Sequence, residues 1–487
     1  MPKPSSLAIA LGAAVLLLSL ASFACSDRPK SNGFEPHERD RTTEPDRVRF
    51  RLSGEMRGML EPCGCASGQL GGLARRIFKL HEDKDYDLLI EGGNLAAGGS
   101  ELDLQKTFTA LTALDFDSTR YHAIGIGPLD LEQEPEEYGS ILQVPRAPLV
   151  ASDLVPKEGF SWPVKAFIAV EAGQGKIPVR IASLAMQIPK SATGTKVTLL
   201  SPADAWKRAL EGATASTLRV LLAHGDAEQI ASLTKLDPKP DLVVGFSNSH
   251  HEPPELPDNS KEAPVVWPAV NGRFLLDVWL TREAGKGKIT RYRRIPLEGS
   301  PSSPGAMEDE GMKSLLLAHR MEVAKNDVLT RMADQKPTKD GATYVGSKVC
   351  GSCHPAALLI WEKSKHAQAW KTLEDAEAGK LVHKSTGKPR YGWPTTKYPD
   401  CVGCHVVGYG FKSGFVDKAK TEHLTDVGCE SCHGAGSQHS DAQLGKIPKD
   451  KGVLGRCDPV LCTACHNFEQ SPTFDYSERW KKIEHGR

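Results

Sequence analysis

Methionine is missing from the whole C-terminal part of this 487-residue chain, since all eight lie at or before Met332. A metal held there must do without a methionine thioether from its own surroundings. Net charge is missing as well: Lys+Arg 61 balance Asp+Glu 61. That excludes the basic footprint of a nucleic-acid binder and leaves no acidic tail. Long apolar runs are scarce. The run from Leu7 to Leu20 falls short of the roughly 20 residues that cross a bilayer, and no later stretch approaches that length. The chain beyond it is therefore expected to be soluble or lipid-tethered. Cysteine is absent between Cys65 and Cys350. Of the 12, Cys25, Cys63 and Cys65 come early and the other nine fall from Cys350 to Cys465, which points to one specialised C-terminal domain.

Lys3, the apolar run and the small residues up to Ala24 read as an export signal over residues 1–24, followed by a polar linker over 25–46. Cys25 has two fates open to it. Acylation, as in a bacterial lipoprotein, would make a lipid anchor the chain's one membrane contact; a plain cut after Ala24 is the alternative, because Ser22 stands where lipoprotein signals carry Leu. Either way the expected location is the periplasm or its membrane surface.

From 47 to 294, short apolar runs such as Asp87-Leu-Leu-Ile90, Val220-Leu-Leu-Ala223 and Leu242-Val-Val244 alternate with amphipathic stretches and Gly/Asp/Asn joints, an α/β pattern. Residues 295–343 form a linker and a connecting helix, expected over 308–334 with Met312, Leu316, His319 and Val323 on one face. His319 there reads as packed or at the solvent edge, not as a ligand. The last domain runs from 344 to 487.

That domain carries Cys350-Gly-Ser-Cys353-His354, Cys401-Val-Gly-Cys404-His405, Cys429-Glu-Ser-Cys432-His433 and Cys462-Thr-Ala-Cys465-His466. Two thiols one helical turn apart can form thioethers with the two vinyl groups of a haem, and the adjacent histidine reaches the iron. Zinc would leave four histidines unexplained, and disulfide geometry requires no histidine at all. The motifs therefore predict four covalently bound haem c groups, with iron on His354, His405, His433 and His466. Haem attachment needs reduced thiols outside the cytoplasm, in agreement with the export signal. With methionine absent, His366, His383, His423, His439 and His485 remain as sixth-ligand candidates. So many haems in so few residues should themselves form the apolar centre. Cys457 has no motif around it and reads as a free or buried thiol.

Tyr344-Val-Gly-Ser-Lys-Val-Cys350, Trp361-Glu-Lys-Ser-Lys-His366-Ala, Val427 through Gly436 and Trp480-Lys-Lys-Ile-Glu-His485 resemble the tetrahaem cytochrome c-552/c-554 family. The resemblance implies a mostly helical multihaem domain with paired, stacked haems, three of them bis-histidine and one with an open axial position. Carried over by position, His366, His439 and His485 are the distal ligands, and the haem of Cys401 to His405 is the open one. His383 and His423 are then spare.

Phe50-Arg-Leu-Ser-Gly-Glu55-Met-Arg57-Gly58, Asp87 through Asn94, Tyr121 through Asp130, Leu221-Leu-Ala-His224 and Asp241 through Ser249 resemble the successive metal-site blocks of the calcineurin-like metallophosphoesterase and 5′-nucleotidase superfamily. This implies an α/β sandwich. The hard ligands of a two-metal site are mostly gone. Glu55-Met-Arg57 stands for Asp-x-His, Asn94 for Asp, and Pro128-Leu129-Asp130 for Asn-His-Glu; His224 alone keeps its place. Phosphoesterase activity is not expected. Cys63 and Cys65 sit where the first metal loop lies, open to a redox pair, a soft-metal site or a structural role, and His250-His251 reads as a solvated loop pair. The expected function is electron transfer with redox partner proteins through stacked, mainly bis-histidine haems. The alternative is a redox enzyme acting on a nitrogen oxide or hydroxylamine at a five-coordinate haem on His405.

Overall fold

The computed structural model describes residues 46–62, 70–116, 119–259, 261–299, 307–382, 387, 389, 391–455, 457–467, 470–471 and 473–486. The expected export signal, Cys25, Cys63, Cys65 and His383 lie outside the described residues. These described residues pack as one compact unit.

Two sheets face each other in the N-terminal half. One has seven strands, in the order Lys286–Pro296, Phe274–Glu283, Val48–Ser53, Leu88–Glu91, Ala123–Gly125, Leu149–Val150, Val164–Lys165. The other has five: Val265–Val266, Leu242–Phe246, Leu218–His224, Ile177–Leu184, Ile168–Ala172. Leu88–Glu91, Leu218–His224 and Leu242–Phe246 are buried at every position, the mark of parallel strands covered on both faces. Phe50, Leu52, Ile90, Val220, Val244 and Leu276 interdigitate between the sheets. On the far face of the five-stranded sheet, Leu221 and Val243 pack with Trp206 and Ala209 of the helix Pro202–Ala209 and with Ile230 and Leu233 of Ala227–Leu233. The half is an α/β sandwich, as its resemblance to the metallophosphoesterase superfamily leads one to expect. A hairpin not anticipated from that pattern closes one edge. Phe274–Glu283 turns into Lys286–Pro296 through Ala284 and Gly285, with φ 47 and 79, the double positive φ that a tight turn between twisted strands requires.

The connecting helix is shorter than expected, running Glu310–Lys325 with the Asp309 side chain capping its start. Asp327 adopts φ 52 and breaks it, and Val328–Met332 forms a separate helix. Met312, Leu316, His319 and Val323 are buried as the periodicity predicts. This helix packs on Leu73–Glu82 and Glu101–Ala113 of the α/β half.

Beyond it the chain is helical only in short pieces, such as Pro355–Glu362 and Ala369–Glu377. A side-chain core gathers Leu329, Trp370, Leu373, Val402, Val406, Val407, Phe415 and Leu424. After Gly428, the buried residues among those described are Glu430, Gly436, Ala442 and Gly452. The two halves meet at the second motif. Leu102, Val323, Val328, Trp393 and Tyr398 form one cluster against which Cys401 packs. Around it Lys106 pairs with Asp400 and Arg320 with Glu61, Arg320 also lies 4.5 Å over the Trp393 ring, and the Tyr409 hydroxyl donates to the Leu329 carbonyl at 2.9 Å. His319 is held between the Thr109 hydroxyl at 2.9 Å and the Tyr398 hydroxyl at 3.1 Å. Burial, with the Lys106 charge nearby, pushes its pKa down to about 4.

Candidate functional site

Each motif begins on or inside a helical turn: Ser347–Gly351, Pro399–Val402, Cys429–His433 and Pro459–Cys462. The local reason is visible in the chain. Pro at the first helical position precedes Cys401 and Cys462, where a missing N–H costs nothing. Glu430, inside the third motif, is buried and accepts from the backbone N–H groups of Val345, Gly346 and Gly436 at 2.7 to 3.1 Å. It thereby ties the approach to the first motif onto the third, and the Cys350 and Cys429 thiols lie close enough to hydrogen-bond. Cys404 and Cys465 are joined in the same way. The motifs thus pair, first with third and second with fourth. Cys350, Cys353, Cys404, Cys429, Cys432, Cys462 and Cys465 are free thiols, as is Cys457, which neighbours Cys432 and Cys462.

The histidines fall into facing pairs. The ring of His354 is 6.3 Å from that of His439, His433 is 6.0 Å from His485, and His466 is 6.1 Å from His366. Two imidazoles sharing one metal, each about 2.0 Å from it through nitrogen, have ring centroids roughly 6 Å apart. Too far apart to touch, the rings stand at the separation that one shared iron demands. Among the described residues no second imidazole stands so opposite His405. His423 is exposed beside Gly346.

The other ring nitrogen matters too, because a ligating histidine normally donates its second N–H to a fixed acceptor. Nδ1 of His405 donates to the Ala369 carbonyl at 2.6 Å, His439 to Gly452 at 2.9 Å, His433 to Gly455 at 3.3 Å and His485 to Ile483 at 3.0 Å; His466 Nδ1 meets the Ser471 hydroxyl at 3.0 Å. In each the Nε2 atom is left for a metal. Val349, Val460 and Leu461, beside the first and fourth attachment cysteines, are exposed apolar side chains of the kind a macrocycle would cover. Free thiols, paired imidazoles, oriented Nδ1 atoms and apolar rims together fit covalent haem. Among the described residues, no cluster of three or more His, Cys, Asp or Glu is arranged to hold a metal ion directly.

In the α/β half, the residues at the phosphoesterase-like positions bind one another. Glu55 is 2.8 Å from Nδ1 of His224, 2.7 Å from the Asn94 amide and 2.6 Å from Arg57. Burial opposes charge on Glu55, but the hydrogen bonds and charges of His224 and Arg57 outweigh it and hold the carboxyl below the usual range. His224 is raised by the same partner against its own burial. Asp130 is pushed by burial up to about 6, against the pull of the Ala96, Gly127 and Asn94 backbone N–H groups. The Phe246 ring stacks on His224 at 5.1 Å, so close over Gly54 and Gly92 that a Cβ on either would overlap it. Phe246 lies where the resemblance puts the start of Gly-His-x-His, a replacement the serine/asparagine run drew attention away from. His250 stacks on Trp267 at 4.4 Å.

Residues 349–434 match the family "Cytochrome c554 and c-prime". Over 145 residues the chain is 34% identical to cytochrome c-554 of Nitrosomonas europaea, covering 27% of this chain and 61% of that one. It thus spans about three fifths of the curated relative it matches. Among solved structures, the chain is similar to a 5′-nucleotidase precursor from Thermus thermophilus, at 18% identity and TM-score 0.46 over 60% of this chain and 61% of that one. It is also similar to an NAD nucleotidase from Haemophilus influenzae, at 15% identity and TM-score 0.47 over 62% and 64%. The segment matched to that family holds the first three Cys-x-x-Cys-His motifs. No helix among the described residues is long and apolar enough to cross a membrane.

Proposed function

We propose that the chain is an exported tetrahaem cytochrome that passes electrons through four haems, three of them bis-histidine. The observation that carries this is the spacing of 6.0 to 6.3 Å between His354 and His439, His433 and His485, and His466 and His366. Bound haem supplies one-electron chemistry and delocalised orbitals for transfer. The residues supply the rest. The eight motif cysteines anchor the groups, Nδ1 donors fix the imidazoles, and the adjacent thiol pairs Cys350/Cys429 and Cys404/Cys465 support stacking of haems two by two.

Electrons leave to a redox partner protein, and the domain bounds 47–294, 295–343 and 344–487 remain our division of the chain. The α/β half hydrolyses no phosphoester in this reading: Arg57 brings a positive charge onto Glu55, the Phe246 ring packs over Gly54 and Gly92, and the hard ligands that two cations need are mostly absent. His405, without a facing imidazole among the described residues, favours a second role in which its haem takes up a small nitrogen oxide or hydroxylamine. Intact mass of the exported protein tests the count, with four haem additions expected. Electron paramagnetic resonance tests the ligation, with one high-spin and three low-spin irons expected. Fewer than four additions, or four low-spin irons, would refute the respective part.

A further inference from the structure

The turn Lys365–Gln368 carries His366, 6.1 Å from His466, and runs directly into the helix Ala369–Glu377. The first residue of that helix, Ala369, gives its carbonyl to Nδ1–H of His405 at 2.6 Å. A ligand candidate of the fourth motif and the hydrogen-bond acceptor of the second thus share one short piece of backbone.

That backbone is held from outside. The side chain of Gln368, at the N-cap position, makes no cap, and the first N–H groups of a helix need acceptors. Asp426 provides one: its Oδ1 accepts from the Trp370 N–H at 2.8 Å, and the carboxylate also takes the Ala369 N–H. Val427 donates its N–H to the His366 carbonyl at 3.1 Å and accepts from the Trp361 indole at 2.8 Å. Asp426 sits at φ 71, a conformation costly for a residue other than glycine and usually retained only where its surroundings demand it. The third motif begins soon after, at Cys429.

The Ala369 carbonyl and the Trp370 N–H belong to the same peptide group. A carboxylate on its N–H end polarises that group and strengthens the carbonyl as an acceptor. We propose that Asp426 is a positioning residue for the second and fourth haem sites. It acts on His405 through one peptide unit, making the imidazole a more basic ligand, and it holds His366 opposite His466 through the same turn. A ligand histidine that donates strongly from its second nitrogen favours the oxidised metal, and a nearby negative charge acts in the same direction. The proposal rests on the haem ligation argued above.

The test compares wild type, Asp426→Asn and Asp426→Ala as full-length, haem-loaded protein. Resonance Raman reads the iron–histidine stretch of the reduced five-coordinate haem, potentiometry its midpoint, and electron paramagnetic resonance the high-spin count. Asn keeps an acceptor for Trp370 but loses the charge, so the stretch should fall and the midpoint rise while the high-spin count stays at one. Ala should shift both further and release His366, adding a second high-spin iron. Asn at wild-type stretch and midpoint would overturn the relay whether or not the Ala variant matures, because a merely structural cap survives Asn. A wild-type protein with no iron–histidine band would instead overturn the ligation reading and this proposal with it.

Discussion

Lowering the pH from about 7.5 to 4 should loosen the seam between the two halves through His319. The Thr109 hydroxyl lies 3.0 Å from the Gln105 carbonyl and donates there, so it accepts from Nδ1–H of His319 and leaves Nε2 to accept from Tyr398. Neutral imidazole satisfies both contacts. A proton on Nε2 would confront the Tyr398 hydroxyl, and the neighbouring groups are Lys106, Arg320, Asp400 and the Tyr398 ring. With 8% of its surface exposed, His319 has its pKa held down from 6.5 to about 4. A depressed folded-state value means that stability is complete above the unfolded pKa and is lost as pH falls toward the folded one. At about 1.36 kcal/mol per unit, the loss is about 2 kcal/mol by pH 5 and about 3 kcal/mol by pH 4. Urea unfolding of wild type and His319→Gln, followed by circular dichroism across this range, isolates the effect, since other titrating groups cancel in the difference. The wild type should lose its advantage on acidification. A difference that stays constant with pH would refute the reasoning.

Acid-acetone extraction should leave haem on the polypeptide, because the motif cysteines form thioethers; release of free haem would count against covalent attachment. Replacing His366, His439 or His485 singly with Ala should each add one high-spin iron, whereas His383→Ala and His423→Ala should leave the spin count unchanged. The full-length protein should show no phosphomonoesterase or 5′-nucleotidase activity with added Mn²⁺, Zn²⁺ or Mg²⁺; turnover that tracks two bound divalent ions would sink the account of Arg57 and Phe246. Carbon monoxide should bind one haem in four of the reduced protein, seen as a partial Soret shift, and binding at none would remove the open position at His405.

The strands were legible because they are buried on both faces: Leu88–Glu91 and Leu242–Phe246 are short, mostly apolar runs that their length and the Gly, Asp and Asn around them pick out. The hairpin Phe274–Glu283/Lys286–Pro296 was not, since its second strand alternates charge with half-buried positions and carries five basic side chains. The connecting helix announced its apolar face, but nothing in the local pattern marked Asp327 as a left-handed break, because Asp is tolerated there almost as easily as inside a helix. At the haem sites, spacing alone named the cysteines and motif histidines. Which histidine faces which, by contrast, is set by how the third motif folds back on the first through Glu430. One buried carboxylate accepting from three backbone N–H groups leaves no signature in sequence. Phe246 was missed for the opposite reason: an apolar residue at the end of a buried strand looks like ordinary core.

The uneven distribution of buried side chains has a consequence for how the protein is built. Around the second motif Trp370, Val402, Val406, Phe415 and Leu424 pack together and lean on the α/β half, so this part can close before any cofactor arrives. Among the described residues, the stretch after Gly428 buries few side chains of its own, and without a macrocycle it has little apolar area to offset chain entropy. Assembly is therefore expected to be vectorial: the N-terminal half and the second motif form a platform, and the chain beyond the third motif stays open as a substrate for the attachment machinery until haem completes its interior. A chain arrested before haem delivery should show protease protection up to about the third motif and rapid trimming beyond it.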